Sequence, residues 1–159
     1  MGSMPHATNT RFAVAVHVLT YLAGADHAHA VSSEELANSV KVNPVHIRRV
    51  LGPLREAGLV RSRPGRHGGW TMGRPAEAIR LDEVWAVVGG ADTVIGVHGP
   101  NPSCPVGFGI RSAMAEIECE LVAVVRADLA RRTVRDLLDH VPRHADLLNT
   151  RLLSPGRVV

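Results

Sequence analysis

The sequence predicts a mainly α-helical fold that carries one small β-hairpin. Three observations predict it. Apolar residues recur at helical spacing along much of the chain between Phe12 and Leu138. Two helix starts, at Ser32 and at Asn43-Pro44, follow each other closely, as in a pair of short helices joined by a tight turn. Behind them stands Leu59-Val-Arg-Ser-Arg-Pro-Gly-Arg-His-Gly-Gly-Trp-Thr-Met72, where two apolar arms, Leu59–Val60 and Trp70–Met72, flank a tip that no core absorbs. That tip, Arg61 to Gly69, holds three arginines, one histidine and three glycines and no acid. Glycine lets backbone approach a partner closely, and arginine presents a planar fork to phosphate. Two helices, a turn and a basic hairpin together read as a winged helix–turn–helix domain.

Each element has a local cause. Residues 10–24 form an apolar helix, with Phe12, Val16, Leu19 and Leu22–Ala23 at helical spacing. Residues 26–30 read as a loop. Ser32 and Glu35 have the spacing of a capping box, which starts a helix over 33–40. Asn43 caps the next helix, and Pro44 occupies its first turn. That helix runs to Glu56–Ala57 and stops at Gly58, with Pro53 inside it as a kink or a tightened last turn. Ile47, Val50, Leu51 and Leu54 form its core stripe. After the hairpin, Asp82 is the candidate cap of a helix over 83–88 that ends at Gly89-Gly90. Residues 91–105 have no periodicity and read as a loop. A long helix follows over about 106–131. Its Ile110, Met114, Ile117, Leu121 and Val124 are spaced 4-3-4-3, a coiled-coil-like seam that predicts a dimer interface; packing within one subunit is the alternative. Thr133 caps a last short helix through Leu138, and a further helix near 145–153 is the only pattern in the tail. The expected division is a winged helix–turn–helix domain over 8–90, a sensor loop over 91–105, a long dimerisation helix with its short follower over 106–140, and a C-terminal tail over 141–159.

Charge points to the same region. The chain carries +3 in total, yet between Lys41 and Arg80 nine basic residues meet only Glu56 and Glu77, a net of +7. The remainder is therefore acidic by −4, and the basic segment has the footprint of a polyanion site. No apolar run approaches the roughly 20 residues of a membrane span. No signal-peptide pattern opens the chain. Cys104 and Cys119 do not make a disulfide framework, so a cytoplasmic location is expected, with no membrane partner. No Walker loop, zincin motif, nucleophile elbow or acid–base constellation is present, so no enzyme is expected and no catalytic residue is assigned.

The second helix of a helix–turn–helix enters the major groove, and its N-terminal residues meet base edges. Here those residues are Asn43, Val45 and His46, with Arg48 and Arg49 one turn on. His46 and Arg49 are assigned to bases and Arg48 to phosphate, while Asn43 divides between its cap and DNA. Arg61, Arg63, Arg66 and His67 of the hairpin reach the flanking minor groove or its phosphates, with Gly68 allowing close backbone approach. The expected partner is double-stranded DNA. Cys104 lies just before the long helix, where the macrodipole favours thiolate, and is the sensor candidate; a packed helix-entry cysteine is the alternative. Cys119, between Glu118 and Glu120, reads as structural.

These residues bring a family into view. The chain resembles the Rrf-two family of bacterial winged-helix transcription regulators, the IscR/NsrR/CymR group. The matching pieces are Arg11-Phe-Ala, Ser33-Glu-Glu-Leu-Ala37, Arg49-Val-Leu-Gly-Pro-Leu-Arg-Glu-Ala-Gly-Leu-Val60, Ser62-Arg-Pro-Gly-Arg-His-Gly-Gly69 and Ile79-Arg-Leu-Asp-Glu-Val84. The resemblance implies a homodimer paired through the long helix, bound to a pseudo-palindromic operator and acting mostly as a repressor. It also implies that many relatives hold an iron–sulfur cluster through three loop cysteines. Here only Cys104 lies in that loop; the positions six and twelve residues earlier are His98 and Asp92. No cluster and no metal is therefore expected, and a redox or small-molecule effector acting at Cys104 takes the cluster's place. Two alternatives stay open: an iron–sulfur- or metal-dependent sensor of the same fold, with Asp92, His98 and Cys104 as a mixed ligand set for a metal, and a winged helix that binds another protein.

Overall fold

The computed structural model describes residues 7–25, 30–89, 94, 95, 99, 101 and 103–142. Six helices and one hairpin follow in the order α1 (Ala7–Gly24), α2 (Ser33–Val40), α3 (Pro44–Glu56), β1 (Val60–Arg63), β2 (Gly69–Met72), α4 (Leu81–Val88), α5 (Pro105–Leu129) and α6 (Val134–Leu138), with a 3-10 turn at Ala76–Ala78 before α4. The mainly helical fold with an antiparallel hairpin is as the sequence predicts. The expected helix near 145–153 and most of the loop over 91–105 lie outside the described residues.

α1 starts three residues before its expected position, and its buried stripe is Val14, Ala15, Val18, Leu19 and Leu22. Phe12 and Val16, which carried the periodicity in the sequence, sit at the edge of that stripe. The cap of α2 forms in one direction: Ser32 Oγ accepts from Glu35 N at 3.1 Å, while the Glu35 carboxylate accepts from Tyr21 Oη at 2.7 Å. The return half of the expected capping box is thus replaced by a contact to α1. That contact also holds the Tyr21 hydroxyl above its ordinary range, since an adjacent carboxylate favours the protonated phenol.

α3 begins as expected. Asn43 Oδ1 accepts from Val45 N at 2.8 Å, and Pro44 occupies the first turn. The helix continues through Pro53 to Glu56. Ile47, Val50, Leu51 and Leu54 are all buried and point to α1, α2 and α4. Each such side chain removed from water contributes roughly 1.5–3 kcal/mol.

The start of α4 differs from its expected position. The helix begins at Leu81, its cap residue is Arg80, and Asp82 lies inside the first turn. The Asp82 carboxylate does not cap; it pairs with the Arg80 guanidinium. Gly89 ends the helix in a left-handed conformation with φ of 116°. Phe12 of α1 and Trp85 of α4 meet with ring centroids 5.9 Å apart.

α6 returns to the domain. Leu81 N donates to Arg132 O and Val134 N to Ile79 O, so the chain entering α6 pairs with the strand-like residues before α4. Thr133 and Asp136 form the reciprocal capping box that α2 lacks. Val134 is fully buried, with α6 packed on α1 and the Ala76–Ala78 turn.

α5 is different. None of its 25 residues is buried, and only its C-terminal end, at Leu129, joins the core. Ile110, Ile117 and Val124 are exposed, and Met114 and Leu121 are half-exposed. No helix among the described residues is long and apolar enough to cross a membrane.

Candidate nucleic-acid interface

The four buried residues of α3 fix which face it offers outward. Val45, Arg48 and Arg49 lie on the opposite side and are exposed, and His46 is half-buried at the edge. Val45 is 51% exposed. Asn43 keeps its side-chain oxygen for the cap, which leaves its amide N–H groups as donors to a partner. Arg48 Nη2 donates to Glu34 Oε1 of α2 at 2.8 Å. Arg49 lies beside it on the exposed face.

The first strand of the hairpin packs against α3. Its register pairs Val60 with Met72, Arg61 with Thr71, Ser62 with Trp70 and Arg63 with Gly69. Strand structure therefore reaches further into the basic stretch than the sequence suggests, and the free tip shortens to residues 64–68. Alternation along a strand puts Arg61 and Arg63 on one face. Arg61, Arg63, Arg66 and His67 are all exposed. Gly68 is half-buried because the tip folds back on itself: a Cβ there would lie 2.2 Å from Arg63 O.

The root of the hairpin is tied down by a contact that sequence reasoning missed. Val31 N donates to Trp70 O at 3.0 Å and Trp70 N to Val31 O at 2.8 Å, so the residue before α2 serves as a one-residue third strand. Trp70 Nε1 also donates to Ser33 Oγ at 3.1 Å. Hairpin and helix–turn–helix are thereby fixed to each other through both backbone and side chain. A single bridging residue has no periodicity, so no local pattern pointed to it.

Cys104 is half-buried at the residue that precedes α5, and its side chain makes no cap hydrogen bond. Cys119 is exposed, fifteen positions along the same helix, or about 22 Å away at 1.5 Å per residue. Asp92 and His98 lie outside the described residues. The loop that precedes Cys104 is held to α5 by Glu118, whose carboxylate accepts from Val94 N and, at 2.9 Å, from Ile95 N. Sequence reasoning treated Glu118 only as a neighbour of Cys119. Nothing local signals a contact between residues 24 positions apart.

Comparison with known proteins settles the class. The family model for Rrf2, described as an iron-dependent transcriptional regulator, matches residues 8–140. The chain belongs to the Rrf2 family. Among Rrf2-like relatives, a protein named as the HTH-type transcriptional regulator YwnA of Bacillus subtilis is 35% identical over 134 residues, covering 84% of this chain and 98% of the relative. The HTH-type transcriptional regulator IscR of Cereibacter sphaeroides is 32% identical over 95 residues, 60% of each chain. Among solved structures, CymR of B. subtilis, described as a global cysteine regulator, superposes with a TM-score of 0.63 at 22% identity, covering 89% of this chain and all of that one. IscR of T. potens gives 0.58 at 18% identity, over 92% and 98%. The Rrf2 chain is thus a transcriptional regulator of winged-helix fold and not an enzyme.

An iron–sulfur cluster needs thiolate donors that this chain lacks. Two cysteines in the whole chain cannot supply three thiolates, and they stand at opposite ends of about four helical turns. Among the described residues no three histidine, cysteine or acidic side chains converge. The usual cluster ligand set does not fit this chain.

Proposed function

We propose that this Rrf2 protein is a homodimer that binds a pseudo-palindromic operator in double-stranded DNA and represses transcription. α3 enters the major groove, with Val45, His46 and Arg49 at base edges, Arg48 on phosphate and the Asn43 amide within reach. The hairpin, through Arg61, Arg63, Arg66, His67 and the Gly68 backbone, tracks the flanking minor groove. One observation carries the reading: every exposed charged side chain over residues 43–49 of the turn and α3 and over residues 61–68 of the hairpin is basic, and Val31 and Trp70 tie the hairpin to the start of α2, the partner helix of α3. Arginines set on a rigid frame suit phosphate and base-edge recognition.

The second half of the proposal concerns α5. Its seam of Ile110, Met114, Ile117, Leu121 and Val124 finds no burial in the chain's own core, and a second copy of the helix supplies the missing apolar partner. Residues 8–90 then bind DNA, 91–105 carry the signal, and α5 pairs the subunits. Cys104, at the junction of loop and α5, is the proposed point of redox or ligand response.

The test is a selection of genomic fragments with reduced, metal-free protein at near-physiological salt, followed by footprinting. One enriched, palindrome-like site of two protected half-sites supports the reading. No enrichment, with or without added metal, sinks it and leaves the winged helix to a protein partner.

A further inference from the structure

The outer face of α3 does not act alone. The Arg48–Glu34 ion pair, 2.8 Å long, joins its basic stripe to the first turn of α2. Both side chains are more than half exposed, 56% and 61%, so water screens the pair and it parts easily. Three acids lie between Ser33 and Met72: Glu34, Glu35 and Glu56. Glu35 is turned to Tyr21, and Glu56 sits at the far end of α3. Glu34 alone among them has an outer-face arginine as its hydrogen-bond partner.

A carboxylate beside an arginine that serves DNA lowers the charge that phosphates meet. The loss is uneven between sites. Non-specific association rests almost wholly on charge, so a neutralised Arg48 subtracts from it in full. At a matched site the remaining α3 and hairpin contacts hold the duplex in one geometry, and a phosphate or base edge then offers Arg48 a partner better placed than Glu34.

We propose that Glu34 is a specificity-determining residue: it holds Arg48 in an internal ion pair on non-cognate DNA and yields it at the operator. It thereby lowers non-specific affinity more than operator affinity. This rests on the DNA reading of α3 above and adds a regulating acid to it.

The test uses the full chain as wild type, Glu34→Gln, Arg48→Gln and the double variant. Each is titrated against the selected operator and a scrambled duplex of equal length across a range of salt. Glu34→Gln is expected to raise affinity for the scrambled duplex about three- to tenfold at low salt and to steepen its salt slope by about one. Operator affinity rises less, so the specificity ratio falls. In the Arg48→Gln background the same change leaves the slope where it was. An unchanged scrambled affinity and slope overturns the proposal. So does an equal effect in both backgrounds, which makes Glu34 a plain repulsive charge. A wild-type chain that binds neither duplex overturns the DNA reading itself, and this inference with it, while an unchanged far-UV spectrum keeps folding out of the comparison.

Discussion

Arg80 grips Asp82 with two nitrogens, Nε at 2.9 Å and Nη2 at 3.0 Å, while the carboxylate itself is buried. The guanidinium hydrogen bonds pull the Asp82 carboxyl below its ordinary value of 3.8, against burial, which pushes the other way; Arg126 of α5 adds a smaller pull. A folded-state value below the unfolded one means that the pair stabilises the fold fully above about pH 4 and loses that contribution as pH falls through the folded value. Asp82→Asn is therefore expected to lower the melting midpoint by about 2–6 °C at neutral pH. The gap should stay constant from pH 7 to 5 and close below pH 4. A gap that stays constant down to pH 2 would contradict this. The same residue shows what sequence can and cannot convey. Ser32, Asn43 and Thr133 were legible as caps because each bonds a backbone N–H two or three residues away. Asp82 has a cap's chemistry and a cap's neighbours, yet a longer side chain two positions back claims it. Glu35 was legible as a helix-start acid, but its partner Tyr21 lies fourteen residues away, as Arg48 does from Glu34, beyond any local pattern.

At the scale of elements, the hairpin was the clearest in the sequence and also the one most changed by its surroundings. Its glycines marked the turn, and its arginines marked what the turn presents. Its third-strand partner Val31 and the Trp70–Ser33 hydrogen bond had no sequence signature, since both depend on how α2 meets the sheet. That docking constrains Gly69: its φ is 155°, and a Cβ there would lie 2.5 Å from Val31 O, a backbone atom with little room to move. Gly69→Ala should destabilise the domain by about 1–3 kcal/mol, read as a lower urea midpoint with unchanged slope. Because the displaced contact is the one that aims the hairpin, operator binding should also weaken in protein still fully folded at low urea. If stability falls while affinity holds, the hairpin does not need Val31 to reach DNA. α3 was legible through its apolar stripe, and Pro53, read as a kink or a tightened last turn, is carried within the helix three residues before its end.

For the whole molecule, one core serves α1, α2, α3, α4, the hairpin base and α6, and α5 is a rod that leaves it. The sequence conveyed this division because the 4-3-4-3 seam of α5 differs from the broader stripes of the shorter helices. It did not convey that α6 comes back to bury Val134 against α1 and Ile79, because five residues hold too little pattern. If two copies pair along the seam, Ile117→Asp sets two carboxylates against each other at its centre. Sedimentation should then show a monomer, and operator affinity should fall about 100-fold or more as two half-sites are no longer held together. A variant that still sediments as a dimer would move the interface elsewhere. The attachment of α5 at one end has a mechanical consequence. Twenty-five residues make a shaft about 37 Å long, anchored near Leu129 and engaged by the loop through Glu118. A swing of about 5° at that anchor carries the far tip roughly 3 Å, close to the rise of one base pair. An effector that only loosens or tightens the grip of Glu118 on Val94 and Ile95 would need no rearrangement of the core. Leverage along the shaft alone would bring two reading heads into or out of step with the helical pitch of DNA.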